Sequence, residues 1–107
     1  MPRSSALSPA IQPSADPARF DWALVRSFLA VLDAGSLTGA ARRTGALQPT
    51  LSRHIAELEE QLGAPLFERT GRGVTPTAAG LSIVEAARRM HDGADALARA
   101  LAGHRHQ

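Results

Sequence analysis

Apolar side chains begin to recur at helical spacing at Asp21. Trp22, Val25, Phe28, Leu29 and Leu32 make one stripe, the pattern of a helix that buries a single face. Asp21 stands where a carboxylate can accept from the first free backbone N–H groups, and Ala34-Gly35 ends the segment. Ser36 is placed to cap a second, shorter helix from Leu37 to about Thr44, rich in small residues at Gly39, Ala40 and Ala41. Gly45 breaks it. A third helix is predicted from Gln48-Pro49, where proline in a first turn forfeits no hydrogen bond. Leu51, Ile55, Leu58 and Leu62 follow at spacings of four, three and four, and Gly63 stops the run.

Beyond it the pattern changes. Ala64 to Arg69 reads as a short extended run, Thr70-Gly71-Arg72-Gly73 as a turn, and Val74-Thr75-Pro76 as a returning strand. Thr77 then caps a last helix of about 24 residues, about 36 Å long at the α-helical rise. Along it Ile83, Ala87, Met90, Ala94, Leu97 and Leu101 alternate at four and three, an a/d seam over nearly three heptads. Such a seam packs on its own domain or on a partner helix. The earlier helices already have one another's apolar faces, so a second subunit is the expected target.

The chain has 107 residues, enough for one compact domain. With 44% hydrophobic and 21% charged residues it is neither wholly disordered nor a membrane protein. No stretch approaches the ~20 apolar residues that span a bilayer, and Met1 to Phe20 lacks the layout of a secretory signal. That first stretch holds four of the seven prolines. Residues 1–19 are therefore expected to be a flexible tail, residues 103–107 a frayed end, and the protein to be cytoplasmic, beside the nucleoid, with no membrane partner. The absence of Cys removes disulfides, thiolate metal sites and cysteine nucleophiles.

Charge alters the picture through its placement more than its total. Net charge is only +2, and all twelve basic side chains are Arg. From Gly35 to Ala56 there is no acid, while Arg42, Arg43 and Arg53 lie there; Glu57, Glu59 and Glu60 come at the far end of the third helix. A helix that enters a DNA groove needs such a non-repulsive leading half. Helices two and three are joined by about three residues, Gly45-Ala46-Leu47, the spacing of a helix-turn-helix. Projected around its axis, the third helix turns Pro49, Arg53, Ala56 and Glu60 away from the leucine stripe. Gln48, Thr50, Ser52 and Arg53 are then offered to a groove. Gln can bond an adenine edge, Arg a guanine edge, and hydroxyls bases or phosphates. An ordinary three-helix domain with a solvated face fits the same spacing. Likewise Arg72, between two glycines at the hairpin tip, suits a minor groove or a phosphate but equally a solvated turn.

Catalysis finds little support. Around His54, His91, His104 and His106 no acid or Cys completes a ligand set with metal spacing, and Gly71-Arg72-Gly73 lacks the Lys and hydroxyl of a phosphate loop. No enzyme activity, metal or cofactor is expected.

The string FLAVLDAGSLTGAARRTGALQPTLSRHIAELEEQLGAPLFERTGRGVTPTAAG, Phe28 to Gly80, closely resembles the N-terminal DNA-binding domain of LysR-type bacterial transcriptional regulators. It covers about half the chain, and QPTLSRHIAELEEQLG followed by PLFERTGRG is far more specific than a generic helix-turn-helix. The resemblance implies a mainly α winged helix-turn-helix over residues 20–77, with a three-helix core and a two-stranded wing, then a linker helix over 78–102 that dimerises antiparallel to its twin. It assigns double-stranded DNA as partner, with Gln48, Pro49, Thr50, Ser52 and Arg53 on the recognition helix and Arg72 on the wing. Dimerisation would fall to Ile83, Ala87, Met90, Ala94, Leu97 and Leu101.

Departures cluster in the turn. The family usually has a large apolar residue at Thr44, a β-branched one at Ala46 and a Ser cap at Leu47; Pro76 replaces a usual Leu. A missing cap costs ~1 kcal/mol, and two trimmed side chains a few kcal/mol more. Leu47 is expected to turn inward and refill the space. The family also continues into an effector-binding domain of two α/β lobes. This chain stops after the linker helix, either as a piece of a longer regulator or as a short natural protein; only the former would answer to a small-molecule effector. The rival function is a protein-interaction module that pairs with a full-length relative through the linker helix.

Overall fold

The computed structural model describes residues 21–105; the tail expected over residues 1–19 lies outside them. Helices α1 (Trp22–Ala34), α2 (Leu37–Thr44) and α3 (Gln48–Leu62) precede strands β1 (Phe67–Arg69) and β2 (Val74–Pro76), and helix α4 (Ala78–Arg105) follows. Local side chains set most of these ends. Asp21 Oδ1 accepts from Ala23 N at 2.9 Å, Ser36 Oγ from Gly39 N at 2.9 Å, and Thr77 Oγ1 from Gly80 N at 3.0 Å. The first three helices each close on a glycine in the left-handed conformation.

Helix α3 begins differently. Leu47 occupies its cap position with extended backbone and no side-chain hydrogen bond. Its side chain is 72% exposed, so the expected inward turn does not occur. The reason lies one turn upstream. Thr44 Oγ1 donates to Ala40 O at 2.8 Å and accepts from Ala46 N at 3.1 Å. The threonine thus ties the end of α2 into the turn with polar bonds, which leaves Leu47 pointing outward.

The core forms around α1. Phe28, Val31 and Leu66 are fully buried, joined by Leu24, Val25, Leu29, Ala40, Leu51, Ile55, Leu58 and Ala87. Leu24 and Val31 fall outside the predicted stripe. They are buried because α1 packs against α2, α3, α4 and β2, so more than one face is covered. Truncating a side chain such as Phe28 would cost ~3–5 kcal/mol. At one edge Ser27 Oγ meets His54 Nδ1 at 2.7 Å, pinning α3 to α1 with a half-buried polar pair.

The two strands pair antiparallel, Phe67 with Pro76, Glu68 with Thr75 and Arg69 with Val74. Proline is tolerated in this two-stranded sheet because each strand has a free edge. Phe67 lies 5.4 Å from Phe28, ring centre to ring centre, which seats the hairpin on the core. Val74 N donates to Gly35 O at 2.9 Å. A side chain on Gly73 would overlap that same Gly35 carbonyl.

Helix α4 has 28 residues, about 42 Å at the α-helical rise, and is longer than expected. Gly103, His104 and Arg105, predicted to fray, are helical. Its start is bolted down: Thr77 N donates to Leu66 O at 3.0 Å, Thr77 Oγ1 donates to Pro65 O at 2.6 Å, and Gly80 rests against the Leu66 carbonyl. Further along, Arg88 makes a two-pronged pair with Asp33 at 2.6 and 3.1 Å. Among the described residues no single helix is long and apolar enough to cross a membrane.

Candidate nucleic-acid interface

The turn Gly45 to Leu47 sets α2 and α3 as a helix-turn-helix, and the leucine stripe of α3 faces α1. What remains outside is the face a groove would meet. Gln48, Pro49, Ser52 and Arg53 are exposed. Thr50 is half-buried and turns toward α1, where it shares a cleft of about 480 Å³ with Arg26, Ser27, Thr44, Ala46 and His54. Ser52 turns the other way. It lines a cleft of about 330 Å³ between α3 and the hairpin, with Ala56, Glu59, Phe67 and Arg69 on its walls. Arg53 and Pro49 therefore stand outward, flanked by one hydroxyl on each side.

The hairpin tip is held from within. Thr70 N donates to Gly73 O at 2.8 Å, and Thr70 Oγ1 accepts from Gly73 N at 3.0 Å. These bonds close the turn and leave the Arg72 side chain exposed. Because Gly73 and Val74 dock on the Gly35 carbonyl, the tip is carried on the same rigid head as α3.

Two residues of this region escaped the sequence reading. Arg69 adds a cation to the cleft beside Ser52, and nothing in its local spacing marks it. Thr38, in the first turn of α2, donates from Oγ1 to Gln48 Oε1 at 3.3 Å; ten residues separate the two, beyond any helical period. One acid has a structural duty instead. Glu59 Oε2 accepts from Leu66 N at 2.8 Å, fixing the chain as it leaves α3 for the hairpin and keeping that carboxylate occupied.

The seam of α4 divides. Ala87 is buried, and Ile83 is partly buried against the core of its own head, the packing that was the less expected option for them. Met90 is 37% exposed, and Leu97 and Leu101 are 60% and 58% exposed; Ala94 lies between, half-buried. Near the junction, Trp22 and His91 stack obliquely at 6.3 Å. Among the described residues no three His, Asp or Glu side chains converge as metal ligands would.

Residues 22–81 match the family described as bacterial regulatory helix-turn-helix protein, lysR family. The HTH-type transcriptional regulator ClcR of Pseudomonas putida is 50% identical over 66 residues, 62% of this chain and 22% of that protein. The chain thus spans about a fifth of the length of the curated relatives it matches. Among solved structures, the CbnR DBD–DNA complex superposes with a TM-score of 0.68 at 35% identity, covering 78% of this chain and 98% of that one. The BenM DBD complex with benA site 1 DNA gives 0.68 at 35% identity, covering 75% and 93%. The fold is the winged helix-turn-helix of those DNA-binding domains, and the family is one of DNA-binding regulators, not enzymes. By the match of its helix-turn-helix, hairpin and the start of α4, the chain belongs to the LysR family of bacterial transcription regulators.

Proposed function

We propose that this chain binds double-stranded DNA as a homodimer at an interrupted inverted repeat. In this reading α3 enters the major groove with Gln48, Pro49, Thr50, Ser52 and Arg53 leading, and Arg72 reaches the minor groove or a phosphate. The observation that carries it is the outward face of α3. Arg53 and Gln48 stand exposed at its leading end, with no acid between Gly35 and Ala56 and a second exposed arginine on the hairpin docked to the same head. That is the charge layout a groove-reading helix needs. Thr50 would serve from the flank, since its side chain lies toward α1.

Pairing would run through the part of α4 that leaves its own head, with Met90, Ala94, Leu97 and Leu101 meeting their counterparts and Ile83 and Ala87 supporting from the core. Two heads related by a two-fold axis would then reach successive major grooves, about 34–36 Å apart. The protein would work in the cytoplasm, on the nucleoid.

Capture of sheared genomic DNA, sequenced beside the Arg53→Ala variant, tests the proposal. The expected result is one enriched inverted-repeat motif that the variant loses. Unenriched or absent binding by protein shown to be folded and dimeric would overturn it. That outcome would favour the rival role, pairing with a full-length relative, which the exposed Leu97 and Leu101 would serve equally well.

A further inference from the structure

We propose that Thr38 is a positioning residue that sets which end of the Gln48 amide faces DNA, so that Gln48 presents donors to an acceptor-rich base edge and not to adenine. This rests on the reading that α3 enters the major groove. Thr38 lies second in α2, directly before Gly39, whose N–H is capped by Ser36. Its hydroxyl donates to Gln48 Oε1 at 3.3 Å, and both side chains are exposed.

A hydroxyl can serve either end of an amide, since it both donates and accepts. The start of α2 breaks that tie. Free N–H groups and the helix dipole make the first turn of a helix electropositive. The amide oxygen is favoured there and the amide NH2 is not. Gln48 is thus held with Oε1 against α2 and with the two N–H bonds of Nε2 left for a partner.

Base chemistry then selects. Adenine offers N7 as an acceptor and its N6 amino group as a donor, so a bidentate grip needs both ends of the glutamine amide together. Guanine offers two acceptors, N7 and O6, and thymine offers O4. An amide whose oxygen is engaged on α2 matches guanine or thymine. The choice of base at this position is therefore made jointly by α2 and α3, although only α3 touches it.

Binding to a randomised duplex library, followed by sequencing, tests the idea with four proteins: the parent, Gln48→Ala, Thr38→Val and Thr38→Ser. The expected parent prefers guanine or thymine over adenine at one position per half-site, and Gln48→Ala abolishes that preference. Thr38→Val should cut the same preference roughly fivefold to tenfold, the effect of one net hydrogen bond, while Thr38→Ser restores it. Preferences elsewhere, and the slope of affinity against salt, should not move. The proposal is overturned by a parent that prefers adenine there or by unchanged preferences in Thr38→Val. It is also overturned if Thr38→Val weakens all sequences alike with a shallower salt slope, which would make Thr38 a phosphate ligand. If Gln48→Ala leaves every base preference intact, the placement of α3 fails first, and the role of Thr38 falls with it.

Discussion

Gly80 lies flat against the carbonyl oxygen of Leu66, in a space that a β-carbon would have to share with that oxygen. The contact seats the first turn of α4 on the chain entering β1, where Thr77 also bonds Leu66 and Pro65. It sets two effects of opposite sign against each other. In an exposed helix, Gly→Ala stabilises by ~0.5–1 kcal/mol. At Gly80 the overlap is with backbone, which cannot swing aside, and overpacking costs ~1–3 kcal/mol. Gly80→Ala should therefore lower the melting temperature, whereas Gly93→Ala, with open space around it, should raise it. Thermal unfolding of the two variants decides; a rise in both would show that the Leu66 contact is not a constraint.

The uncapped start of α3 invites repair. Leu47 has the extended backbone of a cap but offers no oxygen, and its exposed side chain fills no core space. Leu47→Ser should stabilise by ~0.5–2 kcal/mol, read as a higher melting temperature. Loss of stability would mean that Leu47 is covered in solution.

Asp33 and Arg88 tie α1 to α4 with two hydrogen bonds. Those bonds from the Arg88 guanidinium hold the Asp33 carboxyl below its ordinary value of 3.8 and raise Arg88 above its own. Because the folded value is depressed, the contribution is complete above about pH 4 and fades as pH falls through the lowered value. Both side chains are nearly half exposed, so screening limits the pair to ~1 kcal/mol or less. Asp33→Asn should lower the melting temperature slightly at neutral pH and low salt, and hardly at all at about 1 M salt. An undiminished effect at high salt would point to packing and not charge.

Leu97 and Leu101 are exposed, well beyond the residues of α4 that pack on the head. Replacing both with Glu should convert a dimer to a monomer in sedimentation without lowering the helical signal or unfolding the head. DNA affinity should fall steeply, because two linked heads gain an effective concentration that one lacks. A double variant that still sediments as a dimer would place the interface elsewhere.

Most element ends were legible in the sequence for a local reason. Asp21, Ser36 and Thr77 act on backbone groups two or three residues away, and the leucine spacing of α3 repeats within four. Such signals need no knowledge of the rest of the fold. The hairpin was legible for the same reason, through Gly71 and Gly73 around a short turn. Thr50 was harder: its place in the leading half of α3 offered it to a groove, and only the neighbouring cleft shows that it lies toward α1.

By itself, then, the chain determined its four helices and hairpin, the acid-free leading half of α3 and its membership of the LysR family, because capping, periodicity and charge order are properties of adjacent residues. Tertiary structure decided what covers each surface. It sent Ile83 and Ala87 into their own head while leaving Leu97 and Leu101 outside, turned Leu47 outward, enlisted Glu59 for the Leu66 amide and brought Thr38 to Gln48. Each of these depends on a partner far along the chain, and burial or pairing energy is assigned only when the elements pack.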